Sequence, residues 1–159
     1  MNCPLCKERK SALSSLHVRG SHVGLHTLND AAVDAGHRIR TDAGRFTERW
    51  FHGLLEQGLK DVEYVEIISV VAIVSAIDTF DRALGRPTRQ LPSPIPGAPT
   101  QRRPRGAKPG LGWLETVAPE DLADDDPNPY ERFGAFNIQR VLSLVPAEVI
   151  AFFELDVEL

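Results

Sequence analysis

The chain is short of cysteine and of long apolar runs, and outside one segment it is short of proline. Only Cys3 and Cys6 are present among 159 residues, so a disulfide framework of the secreted kind is excluded and the pair reads as redox or metal-binding. The longest mostly apolar stretch, Ile67 to Ile77, is too short to cross a bilayer, and no charged n-region followed by an apolar h-region opens the sequence. Positive charge is outweighed, 18 Lys and Arg against 22 Asp and Glu, and the formal net charge of -4 argues against a nucleic-acid footprint across the chain, because counterion release needs clustered cations. These absences lead to the expectation of a cytoplasmic protein with no membrane or nucleic-acid partner. A chain of this length can bury one modest core.

Proline is concentrated where regular structure is not expected. Ten of the twelve fall between Gly85 and Gly134, where backbone donors are missing too often to expect regular helix or sheet. The chain therefore divides into a helical core over residues 1–86, a proline-rich loop over 87–134 and short C-terminal helices over 135–159. The loop is polarised in charge. Arg86, Arg89, Arg102, Arg103, Arg105 and Lys108 precede Glu115, Glu120, Asp121, Asp124, Asp125, Asp126 and Glu131, so its two halves are expected to attract each other. Trp113, between the blocks, is placed to pin the loop to the core.

The helical part carries start and stop signals. A first helix is expected from Pro4 to about Leu16, with proline in a first-turn position where its missing N–H costs nothing. Asn29 or Asp30 can cap a second, which ends near Thr41 with His37, Arg38 and Arg40 at the negative end of its dipole. Thr47 can cap a third that puts Trp50, Phe51, Leu54 and Leu55 on one face and stops at Gly58. Asp61 is expected to cap the longest, which Gly85 closes. Its apolar residues, from Val65 to Leu84, go nearly all the way round, as in a central buried helix. Ile67 to Val74 would also suit a buried strand, but length and flanking caps favour helix. Of its polar exceptions, Glu66 reads as an acid near the dipole's positive end and Asp78 as a solvent-facing or helix-pairing group. Asn137 to Val145 and a segment from Pro146 to Leu155 read as two short final helices.

Chemistry centres on Cys3-Pro4-Leu5-Cys6. A cysteine at a helix start is favoured as thiolate by unsatisfied N–H groups, Lys7, Arg9 and Lys10 add positive charge, and a second cysteine can resolve an oxidised first. The same pair with His22 and His26 has the ligand order of a small zinc site, although Lys10 stands where the finger's large aromatic would be. Both readings stay open on the residues alone.

The segment Asn2–Cys6 and the helix after it, Tyr64–Ala72, and Asp78–Pro87 together resemble the alkylhydroperoxidase D and carboxymuconolactone decarboxylase superfamily, in its peroxidase-related branch. The resemblance covers about residues 2–87 and runs more loosely into the proline-rich loop. It implies an all-α, alkylhydroperoxidase-like helical bundle with a long central buried helix, usually oligomeric. It implies a thiol-dependent peroxidase in which Cys6 attacks a hydroperoxide and Cys3 resolves it, with no bound cofactor or metal and with a thiol reductant as partner. In this sequence Lys10 occupies the place of the family's histidine, and the family's glutamate falls upstream of Met1. Asn137–Pro146 resembles the opening of a second repeat in double-domain relatives, so the chain reads as a truncated member. The alternatives are a non-catalytic helical oligomerisation module, the zinc site, and the decarboxylation of the family's other branch.

Overall fold

The computed structural model describes residues 28–89, 101–110, 112–132, 134–150 and 153. Four α-helices occupy them: α1 (Asp30–Thr41), α2 (Glu48–Glu56), α3 (Asp61–Ala83) and α4 (Asn137–Leu142), with residues 146–150 helical again after Pro146. Among the described residues there is no strand, and only a single antiparallel bridge joins Lys108 to Thr116. The described part is all-α. The helix expected from Pro4 to Leu16 lies outside the described residues, as do Cys3 and Cys6.

Local chemistry sets the helix starts. Asn29 caps α1 by accepting a 2.7 Å hydrogen bond from the Ala32 N–H, and Thr47 caps α2 by accepting one of 3.2 Å from Trp50. The cap of α3 is Lys60 and not the expected Asp61, because Glu63 reaches back to the Lys60 N–H at 2.9 Å, the reciprocal half of a capping box. That leaves the Asp61 carboxylate to pair with Arg103 from the loop. Gly58 and Gly85 follow α2 and α3 at φ of +95° and +68°, a region open to glycine at little cost.

The core forms where α1, α2 and the first half of α3 meet. Ala31 and Ala35 on α1 are small enough to let α3 approach, Phe51 and Leu54 come from α2, and Val62, Tyr64 and Val65 from α3. Phe51 is 1% exposed and lies 5.0 Å from the Tyr64 ring and 6.2 Å from Trp113, which brings the loop onto the core as its position suggested. Leu114, Leu142, Leu144, Val145 and Val149 close the core from the C-terminal side. Trp50 ties α2 to α1 by donating to Asp34 at 2.8 Å, and Arg40 of α1 pairs with Asp78 of α3 at 3.8 Å, the helix-pairing role expected of that aspartate.

The second half of α3 is not buried all round. Val70 is 56% exposed, Phe80 57% and Leu84 52%, and Ala72 and Ala76 are exposed too. An apolar surface on every side does not say which side finds a neighbour. The buried apolar residues of this helix lie in its first half, and its second half is intermediate or exposed apart from the buried Asp81.

The loop is irregular and held by charge. Arg102 pairs with Asp125 and Asp126, Arg105 with Asp125, Lys108 with Asp121, and Arg103 with both Glu115 and Asp61. The basic and acidic blocks do attract one another. At Gly106 a Cβ would overlap the Asp121 backbone carbonyl, so only glycine permits that closeness. The C-terminal segment is stitched to the loop by Ser143, fully buried, whose Oγ accepts from the Val117 N–H at 2.8 Å and donates to the Arg140 carbonyl at 2.6 Å, while the Tyr130 hydroxyl donates to the Val117 carbonyl.

Two truncations measure these contributions. Phe51→Ala should lower stability by about 3–5 kcal/mol, the usual cost of emptying a buried aromatic site. Ser143→Ala should cost about 1–3 kcal/mol by leaving the Val117 N–H unsatisfied. Urea unfolding followed by circular dichroism reads both.

Candidate functional site

A groove of about 600 Å³ lies between α1 and α3. Its α1 wall is Asn29, Ala32, Val33, Gly36, His37 and Arg40, at intervals of three and four that keep them on one side of the helix. Its α3 wall is Glu63, Glu66, Ile67, Val70 and Val71 by the same rule, with Leu59 and Gln101 at the edge. Gly36 leaves the middle open: a Cβ there would come no closer than 4.0 Å to Ile67.

Polar groups are gathered at the ends of an apolar trough. Gly36 faces Ile67 and Arg40 pairs with Asp78, so α1 and α3 run in the same direction. Glu63, Glu66 and Gln101 therefore stand toward one end, and His37 and Arg40 toward the other. Gln101 is fixed by donating to Glu63 at 3.1 Å and accepting from Lys60 at 3.1 Å.

Glu66 is the titratable group that this arrangement perturbs. Burial raises its pKa above the ordinary carboxylate value, and the neighbouring charges of Glu148 and Glu63 raise it further. Among the described residues no ion pair offsets it. A half-buried carboxyl on an apolar wall, readier than usual to hold a proton, can give or take one from a molecule in the groove.

The sequence points elsewhere for its chemistry. Cys6 and Cys3 lie outside the described residues, and so do Lys10, His22 and His26. Among the described residues no three histidine, cysteine, aspartate or glutamate side chains are grouped as a metal site. Glu66, read from sequence as a dipole partner, turns out to line the groove. The signal that could have found it is its spacing: Glu63 and Glu66 share a face with Ile67 and Val70, where two acids three apart interrupt an apolar stripe.

Among the described residues no helix is long and apolar enough to cross a membrane. The chain matches no family model, no curated protein and no solved structure.

The perturbed carboxyl has a measurable consequence. Because the folded protein holds the Glu66 proton to higher pH than the unfolded chain does, stability is greatest below the unfolded pKa and falls as pH rises through the folded one. Glu66→Gln removes this dependence. It should therefore stabilise the protein at pH 7, a gain that disappears in acid once the carboxyl is protonated in both states. Thermal unfolding of both proteins across that range tests it.

Proposed function

We propose that this chain is a thiol-dependent, alkylhydroperoxidase-like redox protein that reduces organic hydroperoxides through Cys6 and Cys3. The observation that carries the reading is the C-x-x-C pair in the sequence; an apolar groove elsewhere in the chain, with a carboxyl biased toward its protonated form, supports it. Hydroperoxide reduction asks for a thiolate, a place for the organic group and a proton for the departing alkoxide.

The Cys6 thiolate attacks the outer oxygen of R–O–OH, the O–O bond breaks, and the leaving alkoxide takes a proton to become R–OH while Cys6 becomes a sulfenic acid. The Cys3 thiol then displaces hydroxide from that sulfur, releasing water and forming the Cys3–Cys6 disulfide. An external dithiol reduces the disulfide and is itself oxidised, which restores both thiols. Lys7, Arg9 and Lys10 favour the Cys6 thiolate. Glu66 is the proton donor for the alkoxide, and Ala32, Val33, Gly36, Ile67 and Val70 receive the organic group. A preference for an alkyl or aryl hydroperoxide over hydrogen peroxide follows from an apolar trough.

Peroxide consumption with a dithiol reductant tests the reading. Cys6→Ser should fall to the rate of buffer alone, and Cys3→Ser given peroxide without the dithiol should consume one peroxide per chain and leave a sulfenic acid that a dimedone-type reagent traps. Equal rates for wild type and Cys6→Ser would end the proposal. Gly36→Leu, which fills the trough, should raise KM for an aryl hydroperoxide and leave that for hydrogen peroxide unchanged.

A further inference from the structure

The groove between α1 and α3 is unequal in charge. Its lining is apolar through Ala32, Val33, Leu59, Ile67, Val70 and Val71, and its volume of about 600 Å³ is that of a small-molecule site. Acid is gathered at the end where both helices begin. Glu63 and Glu66 line that end, and Glu148 of the C-terminal segment lies close enough to act on Glu66. Only Glu63 is answered there: Lys60 stands 3.9 Å from its carboxylate, and the Gln101 amide donates to it at 3.1 Å. Among the described residues neither Glu66 nor Glu148 has an ion pair. At the opposite end, where His37 also stands, Arg40 is balanced by Asp78 at 3.8 Å. Glu63, Glu66, Glu148 and Asp78 therefore face only Lys60 and Arg40, and the excess of negative charge sits beside apolar surface, where solvent screens it less.

An anion does not suit this arrangement. The backbone donors that a helix start would offer one are taken: the Ala32 N–H by Asn29 at 2.7 Å, the Lys60 N–H by Glu63 at 2.9 Å and the Val62 N–H by Asp61 at 2.9 Å. A metal ion does not suit it either, since among the described residues no three carboxylate, histidine or cysteine side chains are grouped to hold one. What the groove calls for is a positive charge attached to apolar bulk. An ammonium group donates to the carboxylate that it neutralises, and the body behind it covers the apolar walls.

We infer that the groove between α1 and α3 is a binding site for an amphipathic amine, a protonated ammonium group carried on an alkyl or aryl body. The ammonium meets Glu66, with Glu148 beside it, and the body lies along Ala32, Val33, Ile67 and Val70. Ile67, which faces Gly36, stands four residues past Glu63, about 6 Å along α3. A ring level with Gly36 is thus joined to the acidic end by a short methylene chain. The site needs no cysteine and stands on the groove and its charges alone. In the intact protein such an amine fills the space given above to the organic group of a hydroperoxide, so the two compete.

Probes of one shape and different charge test the inference: 4-phenylbutylamine, 4-phenylbutanol and 4-phenylbutyrate, each titrated at pH 7 and followed by amide-resolved NMR. The protein is the Cys3→Ser/Cys6→Ser double variant, which has no peroxidase route, so this result and that of the peroxide assay stand apart. The amine should bind tightest, about tenfold or more above the carboxylate, and shift the amides of Gly36 and Glu66. Glu66→Gln should weaken the amine by about tenfold and leave the alcohol unchanged, since it removes the charge and keeps the shape. Gly36→Leu should weaken all three by filling the trough; should that variant fail to fold, Glu66→Gln decides. An alcohol or carboxylate that binds as tightly as the amine, shifts that fall outside the groove, or an amine affinity unmoved by Glu66→Gln would overturn the inference.

Discussion

Everything in this fold depends on how the beginning of α3 seats against α1 and α2. Ala31 and Ala35 offer no bulk, so Val62 and Val65 can press against α1, while Phe51 and Leu54 fill the space from α2. Burial of such side chains is worth about 1.5–3 kcal/mol each, and it sets the direction of the long helix for its whole length. The groove is a product of that seating. On the neighbouring side of α1, Ala32, Val33 and Gly36 leave a gap between helices that are already fixed in place.

One helix thereby serves different environments along its length. Its first turns are core, its middle forms a groove wall, and its last turns present apolar side chains outward. Glu66 stands where the first two regimes meet: close enough to apolar surface to be desolvated, and close enough to Glu63 and Glu148 to resist ionising. A carboxyl in open solvent one turn away would have neither property. The site is a consequence of helix placement more than of any local motif.

Much of this was legible from residue types. Thr47 announced its helix, and Asn29 was one of two candidates with Asp30 for the other, because a side-chain oxygen just before a helix can bind a free N–H of its first turn; Gly58 and Gly85 marked where chains turn with positive φ. The irregular loop followed from proline, and its closure from two blocks of opposite charge. The side of α3 left uncovered could not be read, because an all-round apolar helix carries no mark distinguishing its covered side from its exposed one. Lys60 as a cap was hidden too, since the bonding group is Glu63, three residues on. The direction of Glu66 was missed because dipole compensation explains an early acid equally well, and only the tertiary surroundings, with Glu148 close by, distinguish the two. Cys3 and Cys6 rest on sequence throughout.

The loop's attachments differ in kind from the core's. Arg102, Arg105 and Lys108 hold the acidic block through side chains that are more than half exposed, and bonds of this sort act within a Debye length of about 8 Å at physiological salt. Val117, Tyr130 and Ser143, by contrast, are tied through buried hydrogen bonds that dissolved ions do not reach. Ionic strength therefore acts on this molecule selectively. Rising salt weakens the exposed ion pairs of the loop, while the Val117 knot and the backbone bridge between Lys108 and Thr116 are left intact.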